Sequence, residues 1–201
     1  ECYYDIKGAI LKAVELGYEE IYLQGHSLGT TKIIYTYNKL KNENSELVKY
    51  IKGIILLSLV DIPRTLKIFL NQNFENTLKY AEEKECKNEL LDLMPNGSFI
   101  HPISVKTFLR YAKYNKEIDF AQYSNKEYNF DELNNIEVPL FMRWGNANEM
   151  IEQDAKDLVE LLNKKITNKN KDINFVDGAD HGYTGKEEIL STEIINFLNS
   201  L

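Results

Sequence analysis

Gly25-His26-Ser27-Leu28-Gly29 follows the apolar run Ile21-Tyr22-Leu23-Gln24 and precedes a stretch from Leu28 to Leu40 with helical patterning. A G-x-S-x-G pattern between a strand and a helix sets its serine on a sharp, strained turn, with the hydroxyl above the end of the sheet. The glycines permit that turn without a Cβ clash. The helix N-terminus beneath it presents free N–H groups to a developing anion. Ser27 is therefore the candidate nucleophile. Leu28, the residue after it, is the candidate oxyanion donor through its backbone N–H.

On the amino side, Ile6, Ile10, Leu11 and Val14 recur at helical spacing as far as Leu16, where Gly17 reads as a helix stop. On the carboxyl side, Asn42-Glu43-Asn44-Ser45 is a polar break, and Lys52 to Val60 is a nearly continuous apolar, β-branched run. Such a run fits a strand buried on both faces of a parallel sheet. A strand is expected over Val138 to Trp144 and a helix from about Glu152 to Lys165. A short last strand over Asp172 to Val176 and a last helix over Lys186 to Leu198 follow. Strands alternating with helices mean an α/β fold with a parallel sheet.

The segment from about Pro63 to Glu137 breaks this alternation, with helices expected around Arg64 to Lys84 and Ile103 to Tyr114. It is rich in rings: Phe69, Phe74, Phe99, Phe108, Tyr111, Tyr114, Phe120, Tyr123, Tyr128 and Phe130. Rings in that number can line an apolar substrate pocket under a lid, or glue small helices together.

About 200 residues with 43 % hydrophobic and 27 % charged composition fit one globular domain. A net charge of −7 argues against nucleic acid as a partner, because a phosphate backbone needs a concentrated basic surface. No apolar run approaches membrane-spanning length; the longest, Ile54 to Val60, is of strand length. Cys2 and Cys86 form neither a disulfide framework nor a zinc motif, and such sparse cysteine makes a cytoplasmic location the default. The three histidines are too scattered for a helical zinc site, and no G-x-G-x-x-G follows a strand. Neither a metal nor an organic cofactor is expected. The oligomeric state is not legible.

A serine hydroxyl needs a general base, and the choice is His26, His101 or His181. His26 adjoins Ser27, where neighbouring side chains diverge, so it lines the wall or packs under the turn. His101 beside Pro102 reads as a structural or surface residue. His181 lies in Asp177-Gly178-Ala179-Asp180-His181-Gly182-Tyr183, a loop directly after the last strand, at the carboxyl edge where α/β proteins assemble their sites. It is the candidate base. Asp180 is too near it in sequence to face it and reads as a loop hydrogen bonder.

The G-x-S-x-G pattern, Gly178-Ala179-Asp180-His181 and the insertion between them together resemble the α/β-hydrolase superfamily, in the esterase and lipase branch that includes feruloyl esterases. The resemblance extends over nearly the whole chain. It implies a three-layer sandwich around a mainly parallel sheet, read as one partial domain over residues 1–201 with a helical lid over about 63–137. It also implies acyl transfer to water through a serine acyl-enzyme, with a small or medium carboxylic ester as substrate. A thioesterase, peptidase or acyltransferase would use the same constellation, and a catalytically silent binding protein is the reading from another class.

An acid is expected in the loop after the strand ending at Trp144, commonly three places past a glycine. Gly145-Asn146-Ala147-Asn148-Glu149 puts Asn148 there, with Glu149 one step further. Glu149 is the first candidate, Asn148 and Asp61, after the preceding strand, the alternatives. The resemblance also places the nucleophile after the fifth strand of a larger sheet. With Ser27 so early and no initiator Met at Glu1, the first strands, and the loop supplying a second oxyanion donor, are expected to precede this chain in a larger protein.

Overall fold

Apolar runs that can be buried on both faces form the sheet. In the computed structural model, which describes residues 2–201, they are β1 (Ile21–His26), β2 (Ile51–Leu57), β3 (Leu140–Gly145) and β4 (Lys171–Val176). They lie in the order β1-β2-β3-β4, and every pair is parallel. Leu57 stands opposite both His26 and Arg143, and Gly145 opposite Val176. The carboxyl ends therefore form one rim. The ladder runs past the strands there, with the Ser27 N–H donating to Leu57 O at 2.9 Å and the Ser58 N–H to Arg143 O at 2.7 Å.

Side-chain alternation divides the core into two layers. Ile54 and Leu56 of β2 join the cluster built with α1 (Cys2–Glu15), α2 (Leu28–Asn42) and α7 (Ala155–Lys165). Ile55 and Leu57 face the other way, with Phe141, Val176 and the α8 (Glu187–Asn199) side chains Leu190 and Phe197. Two helical layers thus enclose the sheet. The ring of Phe141, fully buried, meets Phe197 at 5.2 Å between centroids. Burying such a side chain stabilises the fold by about 1.5–3 kcal/mol.

Between β2 and β3 lie α3 (Ile62–Leu70), α4 (Phe74–Cys86), α5 (Val105–Ala112) and the single turn α6 (Asp131–Asn134). α3, α4 and α5 close their own core around Leu66, Leu70, Phe74, Phe108 and Leu109. The second half of the expected insertion behaves differently: Phe120, Tyr123, Phe130 and Leu133 pack into the main core beside the sheet.

Local chemistry explains where elements depart from expectation. The helix expected from Arg64 to Lys84 is broken at Asn71, whose φ of 47° is a left-handed conformation that asparagine tolerates. The strand expected to reach Val60 stops at Leu57 because Ser58 has φ 51°. α7 begins at Ala155 rather than Glu152, since the Asp154 side chain caps it by accepting the Lys156 N–H at 2.8 Å. Ser104 likewise starts α5 by accepting the Thr107 N–H.

Candidate active site

Ser27 joins β1 to α2 with φ 54° and ψ −128°. A Cβ on Gly25 would lie 2.6 Å from the carbonyl carbon of Gly29, so glycine at 25 is what lets strand and helix approach so closely. The Thr30 N–H donates to Ser27 O at 3.0 Å and closes the turn. Leu28 is the first residue of α2, so its N–H is among those with no partner within the helix.

The loop after β4 carries His181. Gly178 turns it with φ 69°, and Asp180 holds it by accepting the Gly182 and Thr184 N–H groups at 3.0 and 2.9 Å, the loop role expected of that residue. Gly145 lets the neighbouring loop fit against it: a Cβ there would stand 2.2 Å from Ala179 O. The same carbonyl accepts the Ala147 N–H at 2.8 Å. His181 Nε2 lies 2.9 Å from Ser27 Oγ, and His181 Nδ1 is hydrogen-bonded to Glu149 Oε1. With Nδ1 donating to the carboxylate, the Nε2 lone pair faces the serine hydroxyl.

The Glu149 carboxylate is almost wholly buried, with 3 % of its side chain exposed. Its Oε1 also accepts the Met150 N–H at 3.0 Å. Its Oε2 accepts the Gly145 N–H at 3.0 Å and the Ser58 hydroxyl at 2.8 Å. Burial pushes this carboxyl up. The hydrogen bonds from His181, Gly145 and Ser58, with the attraction of His181, outweigh that and hold it below its ordinary value.

The two alternative acids stand elsewhere. Asn148 is exposed and left-handed at φ 56°, so the chain turns there and the next residue enters the site. Asp61, 4 % exposed, caps α3 by accepting the Arg64 N–H at 3.3 Å, and it accepts the Tyr114 hydroxyl at 3.3 Å. Burial raises its carboxyl to about 6 against these hydrogen bonds. Its position at a helix start gives it a capping task away from the imidazole.

His26 donates from Nε2 to His181 O at 2.7 Å, and the two rings lie 5.0 Å apart. His101 is exposed, edge-on to Phe99. Sequence reasoning missed Ser58 and Tyr183. The Tyr183 hydroxyl donates to Arg143 O at 2.8 Å and lies 3.1 Å from Ser58 Oγ. A polar residue interrupting an otherwise apolar strand run was the one signal for Ser58.

Ser27, Leu28 and His181 open onto a cavity of about 220 Å³. Its other walls include Val60, Ile62, Leu66 and Met150, with Phe69, Phe99 and Tyr111 from the insertion; no Asp, Glu, Lys or Arg lines it. Of the insertion's other rings, Phe74 and Phe108 fill its core, and Phe120, Tyr123, Tyr128 and Phe130 pack on the main body. Among the described residues no cluster of three or more His, Cys, Asp or Glu could hold a metal. No helix among them is long and apolar enough to cross a membrane.

No protein-family model matches the chain, and no curated protein matches it by sequence. Solved structures do. An alpha/beta hydrolase enzyme from the metagenome of Mar Chica lagoon sediments superimposes with a TM-score of 0.52 at 16 % identity, over 98 % of this chain and 68 % of its own. The chain has the α/β-hydrolase fold. A monoacylglycerol lipase of Paleococcus ferrophilus matches with a TM-score of 0.57 at 19 % identity, over 98 % of this chain and 74 % of its own. A soluble variant of the Saccharomyces cerevisiae monoglyceride lipase, in complex with a substrate analog, gives 0.61 at 12 % identity, over 97 % and 66 %. The chain thus spans about two thirds to three quarters of the length of these three structures. At these identities the likeness is one of fold.

Proposed function

We propose that the protein is a serine hydrolase acting on a carboxylic ester with a small or medium apolar acyl group. The observation that carries this reading is the hydrogen-bonded chain Ser27–His181–Glu149, set on a strained turn at the mouth of an uncharged cavity. Membership of a fold rich in lipases and hydrolases supports it.

The chemistry follows from the geometry. Ser27 Oγ attacks the ester carbonyl carbon while its proton passes to His181 Nε2, and the carbonyl π electrons move to the oxygen. The Leu28 N–H stabilises that oxyanion; a donor of this kind is worth about 10²–10³ in rate. The Glu149 carboxylate fixes the Nδ1–H tautomer and stabilises the imidazolium. When the tetrahedral species collapses, the alcohol oxygen leaves with the proton from Nε2, and an acyl-serine remains. Water then attacks the acyl carbon, giving its proton to Nε2. That proton returns to Ser27 Oγ as the carboxylic acid is released.

The cavity favours an uncharged acyl group, because no ionic side chain would compensate the desolvation of a buried charge. At roughly 30 Å³ per small group at liquid density, 220 Å³ holds about seven. With p-nitrophenyl esters of increasing acyl length, kcat/KM is expected to peak among short and medium chains and to vanish in Ser27→Ala. Equal turnover of every chain length, or activity surviving in Ser27→Ala, would contradict this assignment.

A further inference from the structure

We propose that Ser58 is a positioning residue for the triad acid, and that its hydroxyl is what lets a glutamate one place beyond the expected position serve there. The inference rests on the reading of Ser27, His181 and Glu149 given above. Glu149 receives four donors, two at each oxygen. Two of the four are backbone N–H groups, which any residue but proline at those positions would supply. His181 is the group being oriented. Ser58 is therefore the one side chain that holds the carboxylate from behind.

The backbone supports this assignment. Ser58 is fully buried, and its φ of 51° is a left-handed conformation that costs a non-glycine residue free energy. Its main chain is pinned by the bond from its N–H to Arg143 O. The side chain has one hydroxyl proton and three oxygens in reach, Glu149 Oε2 at 2.8 Å, the Tyr183 hydroxyl at 3.1 Å and His181 O at 3.5 Å. An ionised carboxylate is the stronger acceptor, so the proton goes to Glu149. Tyr183, buried and anchored to Arg143 O, closes the space into which the Ser58 hydroxyl would otherwise rotate.

The titratable groups that act on this carboxylate are His181 and Tyr183 from the loop after β4 and Tyr123 from the segment after β2, with His26 in contact with His181 and Asp61 acting on Tyr123. Arg143 turns its guanidinium away, toward Asp172 and Glu193. Losing the Ser58 hydrogen bond makes Glu149 more basic, which moves the acid limb of the kcat/KM profile to higher pH, while the carboxylate loses the fixed orientation on which kcat depends.

Ser58→Gly tests this directly, since glycine accepts the left-handed backbone while the hydroxyl is lost with its single methylene. In the intact protein it is expected to keep its melting temperature, to lower kcat about tenfold to a hundredfold with little change in KM, and to shift the acid limb upward. Should the glycine variant fold poorly, Ser58→Cys, which keeps a weak donor in place, is expected to fall between it and the wild type. Wild-type kcat and an unmoved acid limb in either variant would overturn the assignment of Ser58 while leaving the hydrolase reading intact. A wild-type protein whose Ser27 is inert to an organophosphorus probe would overturn both.

Discussion

Ser27 and Glu149 are held by opposite means, the first by backbone strain and the second by hydrogen bonds. A non-glycine residue at φ 54° costs about 1–3 kcal/mol, which the β1–α2 junction must supply. Glu149 needs no unusual backbone; its burial is offset by four donors. Glu149→Gln is expected to lower kcat about 10³–10⁴-fold with the fold intact, because a neutral amide neither fixes the tautomer nor stabilises the imidazolium. Asn148→Gly suits the φ of 56° and is expected to leave kcat/KM within about threefold of wild type. Steady-state assays of the two variants side by side decide between these residues as the acid.

The buried carboxyls of Glu149 and Asp61 also have opposite pH signatures. Glu149 lies below its ordinary value when folded, so its contribution to stability is present above that ordinary value and is lost as pH falls through the folded one. Asp61 is raised to about 6, so the folded chain binds its proton more tightly than the unfolded chain does. Stability therefore falls as pH rises from about 4 to about 6, and the cost persists above. Asparagine caps a helix as well as aspartate does. Asp61→Asn is thus expected to raise stability at pH 7 by about 1–3 kcal/mol and to flatten that slope. Asp119, also buried and raised to about 6, leaves part of the slope in place. Urea unfolding at a series of pH values reads both effects.

At the scale of elements, the site depends on close approaches that only glycine allows. Gly145→Ala would set a Cβ 2.2 Å from Ala179 O and push apart the loops that carry Glu149 and His181. It is expected to cost about 1–3 kcal/mol of stability and most of the activity, as a thermal melt and an ester assay would show. The elements themselves were largely legible. The β2 run, the strand–turn–helix around Ser27 and the loop after β4 carry local signals strong enough to place two of the site's side chains. Glu149 could be ranked first but not separated from Asn148 and Asp61, because which side chain enters the site is decided by the turn at Asn148 and the packing of two loops. Ser58 was hidden for the same reason: its task appears only when β2, β3 and the loop after β4 are side by side. The break at Asn71 was missed because the apolar spacing continues on both sides of it.

Across the whole molecule, the sheet core and the α3–α5 cluster are separate hydrophobic units, and the cavity lies where they meet. Phe69, Phe99 and Tyr111 cover it, so the rings of the insertion serve both as a local core and as a pocket wall. A small satellite core opens at lower free energy than a sheet buried on both faces. Amide hydrogen exchange is therefore expected to be faster in α3, α4 and α5 than in β2 and β3, and equal protection in both would contradict a satellite core that opens separately from the sheet. Whether Ser27 is an activated nucleophile is read most simply by labelling the intact protein with a fluorophosphonate and locating the label by mass spectrometry. A single adduct on Ser27 is expected, abolished in Ser27→Ala and strongly suppressed in His181→Ala. A folded protein that takes no label at Ser27 would contradict the hydrolase reading and leave a binding protein built on the same fold.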